Sequence, residues 1–471
     1  MPNDTIQNNR STIFTRRETL AIMSGGLGLT GLANAFEDNA ANNTRQHAPK
    51  AKRIVWLFMG GGVSHVDSYD PKPSLAKYDR QQIPIDLPRN LRDANKQLLA
   101  SPFTFTSHGE SGLPVSELFP ETAKHIDDIC VIRSMQCNSI DHTGATLQTF
   151  TGMVSLPRPG LGCWLLYGLG TENRNLPGYI VIGPDQQSGS GTYNSRFLPS
   201  RTQGTSVPWR FDQLIGPDPA LPNLINSAGL SLPEQQQQID LISSLNNKHA
   251  QQRRLNNALY ARTKAFRLAF NMQTAAPEAF DLSAETQATH VLYGLDQPHT
   301  KGFGARCLLA RRLLERGVRF VQVQCGKGDG LDWDQHGNLE RDHRKNAMAT
   351  DKPVAALLAD LKRRGLLDDT LVIWGGEFGR TPTSQGTNGR EHHPHGYTLW
   401  MAGGGVRGGM AYGATDEFGW YSVENRVHIH DLHATILYLM GIDHEKQTFR
   451  YSGRDFRLTD VHGKVVTDII A

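Results

Sequence analysis

From Arg53 onward the chain alternates between two patterns of apolar residues. Short continuous runs, RIVWLFM (53–59), DICVIRSM (128–135), GYIVIG (178–183), VRFVQVQ (318–324), TLVIWGG (370–376) and YTLWMAGG (397–404), are rich in branched and aromatic side chains and end in glycine or polar residues. Between them lie stretches with helical spacing, such as GARCLLARRLLERG (304–317) and KPVAALLADLKRRGLL (352–367), the second closed by basic residues. A strand that is apolar on both sides of its pleat must be covered on both faces, and helical crossovers supply that cover. The pattern predicts an α/β fold with a mostly parallel central sheet. The segment 232–270 breaks the pattern: it is polar and Gln/Asn-rich with helical spacing, and reads as an exposed helical insertion reaching to about residue 300.

Composition narrows the classes without choosing among them. A chain of 471 residues with 38% hydrophobic and 20% charged residues can bury a large core, and a formal charge of +3 gives no electrostatic reason to expect nucleic acid or an anionic membrane as partner. Five cysteines, none in a Cys-x-x-Cys pair, indicate neither a disulfide framework nor a zinc knuckle.

The first 35 residues have a different character. Arg16 and Arg17 precede a weakly apolar, glycine-rich stretch and an Ala-x-Ala site at residues 33–35, the layout of a cleaved export signal that is too short and glycine-rich for a membrane span. The arginine pair resembles a twin-arginine signal, so the export machinery for folded proteins is the expected partner and the periplasm or exterior the expected location. Residues 36–50 read as a disordered spacer, leaving 51–471 as the working domain.

Candidate chemistry collects where the strands end. In open α/β sheets ligands gather at the carboxyl ends of strands. The first run is followed by His65, Asp67 and Asp70, and the second by Asp141, His142 and Thr143. VRFVQVQ leads to Asp332, Asp334 and His336, and TLVIWGG leads to Glu377 and Arg380. His392, His393 and His395 stand just before the last run. Any one of these groups could be a turn or a helix cap. Their joint placement on one edge points to a bound cation, because crowded carboxylates repel unless something positive lies between them. Asp, Glu and His without Cys suit zinc, manganese, magnesium or calcium, and imidazole puts zinc or manganese ahead of the other two.

DWDQH, GEFGRTP, the histidine run leading into GGGVRGG and the early HVDSYDPKP together resemble the DUF1501 family from about residue 52 to the C-terminus. That family is sulfatase-like and is placed in the alkaline-phosphatase and sulfatase superfamily. The resemblance implies a three-layer fold of alkaline-phosphatase type and an exported, metal-dependent hydrolase of sulfate or phosphate esters, with a small-molecule or carbohydrate substrate. It assigns Asp67, Asp334, His336, Glu377 and His393 to the metal, with Asp332, His65, His392 and His395 as possible additions. Thr143 becomes the candidate nucleophile, with His142 and Arg380 neutralising ester oxygens. Two departures accompany the match. Phe378 stands where the superfamily carries a metal-binding histidine, and the Cys-x-Pro-x-Arg motif of sulfatases is missing, its slot being filled by His142 beside Thr143. These departures support an alternative, a catalytically retired member kept for binding or structure.

Overall fold

The computed structural model describes residues 46–86, 96–183, 189–207, 229–252, 257–326 and 330–471. The expected export signal, with Arg16 and Arg17, lies outside them, as does most of the expected spacer.

All six apolar runs form strands of one nine-stranded sheet. In chain order these are β1 (Arg53–Met59), β2 (Ile129–Gln136), β3 (Tyr179–Ile182), β5 (Phe320–Cys325), β6 (Thr370–Gly375) and β9 (Tyr397–Ala402). Three shorter strands extend it: β4 (Thr205–Val207), β10 (Met410–Tyr412) and β11 (Val427–His428). The order is β10-β2-β9-β6-β1-β5-β3-β4, with β11 also paired to β2. Every pairing is parallel except those of β9, which runs antiparallel between β2 and β6. The carboxyl ends of β1, β2, β5 and β6 therefore share one edge, and β9 begins at that edge. This is why residues ahead of β9 meet residues that follow the other four. Strands β7 (Gly379–Gln385) and β8 (Gly389–His393) form a separate hairpin that folds over it.

Alternation along β1 shows how the layers form. Val55, Leu57 and Met59 enter one apolar cluster, and Ile54, Trp56 and Phe58 enter the other, all at 1% exposure or less. The first cluster is completed by α5 (Lys301–Glu315) and α6 (Leu339–Arg363), the second by α1 (His142–Thr151), α2 (Leu161–Leu169) and α7 (Ile429–Leu439). Full burial of each such side chain stabilises by roughly 1.5–3 kcal/mol, which holds the strand ends in fixed relation. The sequence pattern placed a helix at 352–367, but α6 begins thirteen residues earlier and carries Pro353 in its interior. Burial of Leu339, Ala347 and Val354 on the same side keeps the helix continuous across the proline. The polar insertion forms two helices, α3 (Leu232–Gln252) and α4 (Asn257–Phe280). No described helix is long and apolar enough to cross a membrane.

Candidate metal centre

Tight backbone turns bring the strand ends together. After β1 the chain passes through Gly61 (φ +106°) and Gly62 (φ +84°), conformations that side-chain-bearing residues rarely adopt. A Cβ on Gly61 would lie 2.5 Å from the Asp334 nitrogen, and one on Gly62 would lie 2.7 Å from the Phe378 ring. The glycines thus let the β1 loop run directly beneath the loops that follow β5 and β6. His142 is the first residue of α1, which is capped by Asp141 accepting from Gly144 N–H at 2.8 Å.

Asp334 is the hub. Its Oδ1 lies 2.8 Å from His336 Nε2, 3.0 Å from His392 Nε2 and 2.6 Å from Arg380 Nη2, and its Oδ2 lies 3.1 Å from His142 Nε2. One ligand atom from each of His142, Asp334, His336 and His392 falls within 4.8 Å of all the others, so this group could hold a metal ion. Burial alone would raise the Asp334 pKa, but the bonds from His142, His336, His392 and Arg380 hold it far below the carboxylate range. Burial also disfavours a charged His142, yet its bonds to Asp334 and Glu377 push its pKa up to about 9. His336 is raised as well, chiefly by its bond to Asp334.

The far side of each imidazole fixes its tautomer. His142 Nδ1 lies 2.6 Å from Glu377 Oε1, and His392 Nδ1 lies 2.7 Å from the Ile140 carbonyl oxygen. His336 Nδ1 meets Oε1 of Gln385, whose amide is oriented because its Nε2 donates to Glu391 Oε2 at 2.8 Å. Each partner can only accept, so each Nδ1 carries the proton and donates it. The three Nε2 atoms converge on an anionic carboxylate, and two of them, on His336 and His392, are 3.1 Å apart. Such an arrangement repels itself unless protons or a cation fill it. The donor set of three imidazoles and one carboxylate fits a borderline divalent ion such as zinc.

The residues expected to form the site are distributed unevenly. Asp334 and His336 are in the cluster, joined by His142, which the resemblance had assigned to ester oxygens. Glu377 stands one step back: it holds His142 and accepts the Gly61 N–H at 3.0 Å. Asp67, expected as a ligand, lies apart from the four clustered residues. It is fully buried and paired through both oxygens with Arg390, at 2.7 and 3.1 Å, and it also accepts from Ser64 Oγ. Burial would raise its pKa, but the Arg390 guanidinium holds it below the usual range. His393, also expected as a ligand, lies outside the cluster, fully buried with its Nε2–H donated to the Trp420 carbonyl. Its neighbour His392 takes the place, because adjacent residues of a strand face opposite ways and a register shift between Arg390 and His392 sets which one faces Asp334. Arg380, expected against ester oxygens, has no exposed surface. It is spent on Asp334 and on the carbonyls of Gly61, Gly62 and Arg390.

Thr143 lies exposed in the first turn of α1. Asp332 accepts the Asp334 N–H at 3.3 Å, and His65 is buried against the Gly419 carbonyl. Phe378 packs on the site, with its ring 4.6 Å from that of His392 and 5.0 Å from that of His142. Gln385, Arg390 and the Ile140 carbonyl were missed. A glutamine, a second arginine in the hairpin and a backbone oxygen carry no sequence signature that marks them out.

The fold and the cluster define a mixed α/β protein with a histidine and aspartate centre able to hold a metal ion. The chain belongs to the DUF1501 family, a family of proteins of unknown function, whose model matches residues 51–470. No curated protein matches it. Among solved structures it is similar to the lipoteichoic acid synthase LtaP from Listeria monocytogenes (10% identity, 88% of this chain and 75% of that one, TM-score 0.37). It is similar also to the PsFucS1 sulfatase from Pseudoalteromonas sp. (12%, 84% and 68%, TM-score 0.35) and to the alkaline phosphatase from the Antarctic bacterium TAB5 (9%, 83% and 98%, TM-score 0.32).

Proposed function

We propose that the protein is an exported, metal-dependent hydrolase of phosphate or sulfate esters. The observation that carries this reading is the convergence of the Nε2 atoms of His142, His336 and His392 on the Asp334 carboxylate. His142, Asp334, His336 and His392 would hold the cation. When bound, a divalent ion supplies Lewis-acid polarisation of an ester oxygen. Glu377, Gln385 and the Ile140 carbonyl orient the three imidazoles by holding their Nδ1 protons, and Arg380 fixes Asp334 from beneath. Such outer partners raise ligand basicity and lock ring direction.

The N-terminus of α1 opens beside the cluster, with Asp141 taking the Gly144 N–H and leaving those of His142 and Thr143 for an anionic ester group. Thr143 is the protein's candidate nucleophile. Its hydroxyl would attack the phosphorus or sulfur after giving up its proton, with the alcohol as leaving group and water releasing the acid in a second step. The reading is tested by stripping purified protein of metal, reloading it with zinc or manganese and assaying aryl phosphates, phosphodiesters and aryl sulfates. Turnover that depends on the metal and is lost in His336→Ala supports it, and no turnover of any of the three overturns it.

One observation favours a second reading. Phe378 occupies a ligand position of the resembled superfamily and packs on two of the site histidines, as it would in a binding protein whose metal is structural. In that case His336→Ala would lower metal content with no activity to lose.

A further inference from the structure

We propose that His428 is a positioning residue of the metal centre, acting through Asn138 on the loop between β2 and α1, a role that rests on the metal-binding reading above. That loop, residues 137–141, fixes two of the four clustered side chains. The Ile140 carbonyl takes the His392 Nδ1 proton at 2.7 Å, and Asp141 caps the helix on which His142 is the first residue. A shift of the loop therefore moves His142 and His392 together. Its start is tied by backbone groups: Cys137 N–H donates to the Pro394 carbonyl at 3.0 Å, and Asn138 N–H donates to Gln148 Oε1 at 2.8 Å. The exposed side chain of Asn138 is held from outside the loop, its Oδ1 accepting from His428 Nε2 at 2.9 Å.

Histidine at this position points to a second task beyond starting a helix. His428 is the N-cap of α7: its Nδ1 accepts the His430 N–H at 3.2 Å, and its own backbone N–H donates to Asp431 Oδ2 at 2.9 Å. Serine, threonine, aspartate and asparagine cap helices well because a short side chain brings one acceptor to the first turn. An imidazole adds a second nitrogen to that acceptor, and with Nδ1 accepting, Nε2 carries the proton. That proton goes to Asn138, 290 residues earlier in the chain. The ring is also kept from turning. It stacks on His430 at 4.9 Å and 24°, His430 in turn lies 5.0 Å from His462, and Asp431 is steadied by the Lys464 N–H at 2.7 Å. One nitrogen of His428 thus starts α7, and the other braces the loop that carries His142 and orients His392.

Two substitutions in the full chain separate the two nitrogens. His428→Asn keeps a capping acceptor and removes the Nε2 donor, whereas His428→Gln keeps an amide N–H near the Nε2 position and removes the cap. Zinc affinity, read by competition with a chromophoric chelator, is expected to fall about three- to tenfold in His428→Asn, the scale of one lost hydrogen bond, with the urea midpoint unchanged. His428→Gln is expected to keep the zinc affinity and lower the urea midpoint. Asn138→Ala should reproduce the loss of affinity and add nothing further in combination with His428→Asn. Wild-type zinc affinity in His428→Asn, or losses of affinity in both variants that follow their urea midpoints, overturns the positioning role and leaves the metal-binding reading intact. Failure of the unmodified chain to bind zinc overturns that reading itself, and the positioning role with it.

Discussion

Glu377 Oε1 lies 2.6 Å from His142 Nδ1, although 235 residues separate them, and on the opposite side of the same ring Nε2 faces Asp334 at 3.1 Å. The imidazole is held between two carboxylates, one that takes its proton and one that shares its lone-pair side with two further histidines. Replacing Glu377 by glutamine shortens this support without emptying the space. Metal affinity in Glu377→Gln is expected to fall by about 10–100-fold, read by competition with a chromophoric chelator, while the far-UV spectrum is unchanged. Wild-type affinity in the variant would remove Glu377 from the centre.

The two adjacent histidines of the β7–β8 hairpin are expected to behave oppositely. His392→Ala should abolish tight metal binding with little change in the stability of the apo protein. His393→Ala should keep the metal but lose about 2 kcal/mol or more in urea unfolding, because it opens a cavity and leaves the Trp420 carbonyl without its donor. The reverse pattern would restore His393 as the ligand.

Arg390 and Asp67 form an ion pair with neither side chain exposed. Arg390→Met strands a buried carboxylate and is expected to cost about 3–5 kcal/mol. Adding Asp67→Asn should recover a large part of that loss, so that a double-mutant cycle reports strong coupling between the two sites. Additive losses would mean that the pair does not act as a unit.

Metal uptake should release protons. Without a cation the His142 pKa sits at about 9, and only the deprotonated ring can offer Nε2 to a metal. Below that pH, apparent zinc affinity is expected to weaken by up to about tenfold per pH unit, and calorimetry in buffers of different ionisation enthalpy should show a proton leaving. A pH-independent affinity between pH 6 and 8 on the order of the error would count against His142 as ligand.

Stability on the acid side should fall with the buried His433. Burial lowers its pKa to about 3, while its Nε2–H donates to the Thr149 carbonyl at 2.7 Å. A histidine whose folded pKa is depressed takes up a proton more readily when unfolded. Its contribution is therefore present above about pH 6.5 and is lost as pH falls toward 3, by up to about 1.4 kcal/mol per unit. Unfolding free energies from pH 7 to 4 should show this slope, and His433→Gln should flatten it.

Much of this protein is determined by its sequence alone. The six apolar runs need cover on both faces, so strand identity, the α/β class and the edge at which polar residues gather follow from patterning, as do Asp334 and His336 just beyond β5. Tertiary structure decided which polar residues on that edge face one another. His392 rather than His393 meets Asp334 because side chains along a strand point to alternate faces and a local register shift sets the phase. Asp67 was drawn away by an arginine 323 residues distant, and Arg380 was turned inward by carbonyls of a glycine loop. Periodicity is a local property that burial enforces along each element. The partner of a buried charge is instead set by close packing between elements, which no short stretch of chain contains.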